Sequence, residues 1–163
     1  MEKIIDIHGY NAEFDRKLSR DNSWFGRILL GEDENFEGIV EDYFSEEFYF
    51  VFGQCAKESM TLTKCSLEDR EIPNVFDGLK EKGKVQGVYF KKDLENQIEL
   101  GNCKINLLPA EATREETEEE KKVLKEKIAR VKKKLGVVGT TLHREFEATK
   151  SESKENVKKT TKL

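Results

Sequence analysis

From Trp24 onward, apolar side chains fall on every second position, and the chain reads as a run of short strands. Over residues 24–30 the even positions are Trp24, Gly26, Ile28 and Leu30, with Arg27 among the odd ones. Gly31-Glu32-Asp33-Glu34-Asn35 is a turn signal. Residues 36–42 then set Phe36, Gly38 and Val40 on one face and Glu37 and Glu41 on the other. That alternation predicts a hairpin with one buried and one wet face.

The scheme repeats. Phe48, Phe50 and Phe52 alternate with Tyr49 and Val51, so this strand is apolar on both sides; the phenylalanines are taken as its inward set. After Gly53-Gln54, Met60 and Leu62 alternate with Ser59, Thr61 and Thr63. A polar stretch over 66–74, containing Pro73, precedes a third pair at 75–80 and 84–92, joined through Glu81-Lys82-Gly83. The fourth pair, 97–100 and 103–107, flanks Gly101-Asn102, a dipeptide suited to the positive φ angles of a two-residue hairpin loop. Four hairpins across residues 23–109 predict a mainly β fold, an eight-stranded antiparallel up-and-down meander. Eight strands are enough for a sheet to close into a barrel and lose its edges.

The flanks follow other rules. Residues 1–22 are polar, with Tyr10, Phe14 and Leu18 four apart, a spacing that predicts a short helix or turn covering one barrel end. Pro109 ends the sheet, and within residues 110–136 the spacing predicts a helix over 113–135. Glutamates fill its first turns and Lys132, Lys133 and Lys134 its last, matching the helix dipole. Leu124, Ile128, Val131 and Leu135 form a narrow apolar stripe, and Gly136 is a natural cap. Burying those four side chains contributes at most about 6–12 kcal/mol. A lone helix of this length is marginal in water, so the stripe needs a surface, its own barrel or a second copy in a homodimer. Residues 137–149 read as a short docked extension, and 150–163 as a disordered basic tail.

Composition sharpens this division. Charged residues make up 38% of the chain, against roughly 25% in ordinary domains, so part of it lies outside the core. Fourteen of the fifteen aromatics precede residue 91, which places the core in the first two thirds. Residues 1–110 carry 22 acids and 14 bases, and residues 111–163 carry 11 acids and 15 bases. No apolar run has the length of a membrane span or a signal peptide, so no membrane association is expected. Cys55, Cys65 and Cys103 lack metal-binding spacing and fit free thiols in the cytoplasm. A Cys55–Cys65 disulfide across a hairpin is the alternative.

Candidate chemistry is sparse. His8 and His143 stand far apart, and no catalytic constellation, metal set or cofactor motif is read, so the chain is not expected to be an enzyme. Eight acids, among them Glu37, Glu41, Glu46 and Glu47, lie in residues 32–47 with no Lys or Arg. They form the wet face of a hairpin or a docking site for a basic protein partner. The tail lysines have no interleaved aromatics, and no nucleic-acid binding is expected. The inward set is the remaining candidate: Trp24, Ile28, Phe36, Val40, Phe48, Phe50, Phe52, Met60, Leu62, Ile98, Ile105 and Leu107. These residues either fill the barrel or line a cavity for a small apolar ligand.

Trp24 at the opening of a strand, with the apolar-x-Gly steps Phe36-Glu37-Gly38 and Val85-Gln86-Gly87, resembles the calycin-type barrels: lipocalins, fatty-acid-binding proteins and avidins. The resemblance spans residues 22–108, and the following helix is lipocalin-like in order. It implies the barrel fold and small-molecule binding. The expected function is therefore a non-catalytic binding domain for a small apolar ligand. The alternative is an acidic interaction module of the immunity or adaptor type, using the acidic hairpin or the helix stripe.

Overall fold

Alternating side chains and short turns produce eight antiparallel strands that follow one another around a closed barrel. They are β1 (Lys3–Glu13), β2 (Ser23–Leu30), β3 (Asn35–Asp42), β4 (Phe48–Cys55), β5 (Ser59–Ser66), β6 (Asn74–Glu81), β7 (Lys84–Asp93) and β8 (Asn96–Pro109). One helix, α1 (Glu118–Val138), follows. The computed structural model describes residues 2–19, 22–67, 72–93, 96–109 and 118–138. The expected extension over 139–149 and the basic tail over 150–163 lie outside the described residues, as do 113–117 of the expected helix.

The strand count agrees with the sequence reading, but two of the strands differ from it. The N-terminal segment is no cover; its residues 3–13 are β1, paired with β2 on one side and β8 on the other. Gly101-Asn102 is no turn, because β8 runs straight through it. Gly101 lies opposite Tyr89 of β7 and Glu13 of β1. A Cβ on Gly101 would sit 1.9 Å from the Ala12 carbonyl oxygen, so glycine is needed there for close backbone approach. The two-residue loop that does form is Lys82-Gly83, with φ of 51° and 79°, the paired positive angles of a type I′ turn.

The barrel separates two apolar clusters. Inside, Ile7, Trp24, Ile28, Phe36, Val40, Val51, Met60, Leu62, Phe76, Ile105 and Leu107 are among the side chains of one continuous cluster. Outside, Leu124, Ile128 and Leu135 of α1, with Val131, pack on Ile4, Leu29, Phe50, Phe52 and Cys65 of the wall. Lys125 Nζ meets Glu2 at 2.6 Å and Lys132 Nζ meets Glu37 at 2.9 Å, orienting the helix for at most about 1 kcal/mol each.

This second cluster explains the corrections on β4. Its apolar faces both have a partner, so alternation fixes which residues share a face but not which face points in. Val51 enters the barrel opposite Gly38, while Phe50 and Phe52 point outward under the helix, ring centroids 5.9 Å apart. Phe48, at the strand's start, stays 53% exposed. Cys55 and Cys65 belong to opposite sides of the wall and are free thiols, not a disulfide. The helix also passes through Gly136 to Val138 rather than capping there. A helical glycine costs only about 1 kcal/mol relative to alanine, which docking of Leu135 offsets. The described helix is not long and apolar enough to cross a membrane.

Because the stripe is buried on its own wall, Ile128→Ala is expected to destabilise the chain by about 2–4 kcal/mol. Urea denaturation measures this, and a loss under about 0.5 kcal/mol would contradict the docking.

Candidate functional site

The two ends of the barrel differ in chemistry. At one end sit the turns at 31–34, 56–58 and 82–83 and the start of β1. At the other are the β1–β2 connection, the β3–β4 loop, the β5–β6 connection and the β7–β8 tip. This second end carries six of the ten large exposed apolar side chains among the described residues: Phe14 and Leu18 after β1, Tyr43 and Phe44 after β3, Phe48 at the start of β4, and Ile98; Leu79 and Leu108 lie toward the first end. Phe44 is 77% exposed. Asp42 shapes its loop by accepting hydrogen bonds from the Phe44 and Ser45 amides at 3.0 and 3.4 Å, and Glu46 takes a positive φ. Ile98, expected inside, is 54% exposed because residues 96–99 pair with β7 alone, past the last β1 partner at Gly101.

Below that rim the interior turns aromatic and polar. Trp24 lies across from Gly9 of β1 in register, where a Cβ would come within 2.1–2.5 Å of its indole carbons. The bare glycine lets the ring lie on the strand. Its Nε1 donates to Asn11 Oδ1 at 3.2 Å, and its ring stands 5.2 Å from Phe76, which stacks on Tyr89 at 5.5 Å.

Lys64 is the unexpected member. Continuing the alternation of Met60 and Leu62, it points into the barrel and is only 8% exposed. Its Nζ lies 4.1 Å from the Tyr49 ring centroid and 5.5 Å from that of Trp24. Burial pushes the ammonium from its usual 10.5 down to about 8, while the Asp42 and Glu47 carboxylates pull it back up. Asn74, directly opposite on β6, holds a buried Oδ1 with no hydrogen-bond partner.

Most of the expected cavity residues are inside: Trp24, Ile28, Phe36, Val40, Met60, Leu62, Ile105 and Leu107. Phe48, Phe50, Phe52 and Ile98 are not, for the reasons given above. The acids do not form one face. Glu32, Asp33 and Glu34 sit at the opposite end from Glu46 and Glu47, and Glu37 is engaged by Lys132. Glu41 borders a groove of about 530 Å³ between α1 and the outer wall, floored by Ile39, Leu67 and Val131 and edged by Lys127, Arg130 and Lys134. Of the stripe residues, Leu124, Ile128 and Leu135 are buried against the wall and Val131 is partly buried beside them.

His143 lies outside the described residues, and Cys65 is buried under the helix. Cys103 donates to the Val88 carbonyl at 3.5 Å, and burial pushes its thiol up to about 12, so it is protonated and unreactive near neutrality. Among the described residues no group of three His, Cys, Asp or Glu side chains converges as a metal site.

Compared with protein-family models, characterised proteins and solved structures, the chain matches none.

The buried ammonium has a calculable effect on stability. Below pH 8 both folded and unfolded Lys64 carry the proton, and the fold bears the full desolvation cost. Between about 8 and 10.5 the unfolded chain holds more protons, so this contribution to stability rises with pH until the cost is gone. Lys64→Met is therefore expected to raise stability by up to about 3 kcal/mol at pH 7, the gain fading above pH 8. Urea midpoints across pH test this; a pH-independent difference would contradict it.

Proposed function

We propose that the chain is a non-catalytic binding barrel that takes a small ligand with an apolar body at the rim of Phe14, Leu18, Tyr43, Phe44, Phe48 and Ile98. The observation that carries this reading is the gathering of those exposed side chains at the end where Trp24 and Tyr49 line the interior. Singly exposed apolar residues need no explanation, but several collected on one end of a barrel mark a contact surface. Barrel mouths are among the places where small-molecule sites form. A ligand seated here rests its body on the rim and its tip against Trp24 and Lys64.

The deeper aliphatic residues, Ile28, Phe36, Met60 and Leu62, then serve as the packed floor rather than as the walls of a large cavity. This keeps the small-molecule part of the calycin-type resemblance and moves the site toward the rim. The rim aromatics contribute little to the fold, because Phe44 and Phe48 are mostly exposed.

The test is a titration with an environment-sensitive apolar dye and with fatty acids, following the emission of Trp24, the one tryptophan. Saturable binding is expected. The double variant Phe44→Ser/Phe48→Ser should weaken it by roughly tenfold or more, from about 1.5–3 kcal/mol for each buried ring. Absence of a saturable change with every probe, or unchanged affinity in the double variant, would remove the rim as the site.

A further inference from the structure

An amine stands inside the barrel, where its desolvation outweighs the attraction of Asp42 and Glu47. A methionine or leucine would fill the position at no desolvation cost, and local rules broken without structural return tend to mark function. Lys64 reaches from β5 across the interior toward Trp24 on β2, its Nζ over the faces of Tyr49 and Trp24. No hydrogen bond or ion pair to another described residue holds that nitrogen. We propose that Lys64 captures the aldehyde group of a small apolar ligand as an imine. This rests on the reading of the rim as the ligand's place of entry.

Two features favour a carbonyl over an anionic head group. Asp42 from the end of β3 and Glu47 from the next loop both set negative potential at Lys64, and each would repel a carboxylate. Tyr49 and Trp24 present ring faces, which attract cations. The surroundings therefore suit an uncharged carbonyl beside Nζ better than an anion.

The step balances without an oxidant or reductant. The free amine's lone pair forms a bond to the carbonyl carbon, and a proton passes from nitrogen to oxygen to give the carbinolamine. The C–O bond then breaks, and hydroxide leaves with a proton as water while the C=N bond forms. Protonation of that nitrogen gives the iminium cation. The reaction requires unprotonated amine, and the desolvated side chain supplies it. Near pH 7 roughly a tenth of Lys64 is neutral, against a few in ten thousand for an ordinary lysine.

The full-length protein is incubated at pH 7 with 4-butylbenzaldehyde and sodium cyanoborohydride, and adducts are located by intact mass and peptide mapping. In parallel, 4-butylbenzyl alcohol, with the same body and no carbonyl, is titrated against Trp24 emission. The expected result is one reduced adduct at Lys64, formed at least about tenfold faster than at any exposed lysine. Lys64→Arg keeps the cation, cannot form the imine, and should lose that adduct, while alcohol binding is read on the parent protein. Labelling spread over exposed lysines with Lys64 unmodified in the parent protein would overturn the proposal, whether or not the variant folds. Alcohol binding without trapping would refute carbonyl capture alone. Trapping without alcohol binding would leave the capture standing and refute the rim.

Discussion

Pairing of β1 with β8 is the constraint on which the rest depends. Without it the inward side chains would line an open sheet with two exposed edges, and water would reach them from both sides. With it, nine residue pairs from Ile5↔Pro109 to Glu13↔Gly101 seal the interior, and everything inside is assessed against a low dielectric. Close backbone approach along that seam demands Gly101 on β8, and the indole of Trp24 demands Gly9 on β1. Sealing also makes the outer wall a continuous surface broad enough for a helix. The apolar stripe of α1 needs such a surface, since its own helix is marginal alone.

The period-two pattern makes the fold class legible, because a strand with one wet face advertises itself. β2, β3 and β5 appear in the sequence nearly as they fold, and Leu124, Ile128, Val131 and Leu135 announce a helix that must dock. Three things were hidden. β1 alternates weakly, with polar His8 and Tyr10 on its outer face, and resembles a loose terminus. β4 is apolar on both faces, so its orientation depends on a helix some seventy residues away. Gly101-Asn102 looks like a turn because a glycine needed for close strand approach and one needed for positive φ are the same letter.

The site was less legible than the fold. Phe44, Phe14 and Ile98 come together only because three loops reach one barrel end, a fact of closure and strand direction rather than of local sequence. Lys64 was accessible to reasoning, since the alternation that turns Met60 and Leu62 inward carries Lys64 with them. The ordinary expectation that lysine faces water conceals it. Fold alone assigns no activity, and no matched relative supplies one, so function is argued from the site. There the thiols are withdrawn by burial, and the acids divide between the two ends. The amine among aromatic rings is a group with chemistry available near neutral pH.

Everything particular about that amine follows from its enclosure, and enclosure has a direct readout. Side-chain carbon and nitrogen shifts of Lys64, assigned through loss of its signals in Lys64→Arg and followed by NMR from pH 6 to pH 11, report its titration in the intact chain. A midpoint near 8, well below its exposed neighbours, is what the closed barrel requires. A midpoint at the ordinary 10.5 would show a solvated lysine, and the sealed interior built around it would be contradicted.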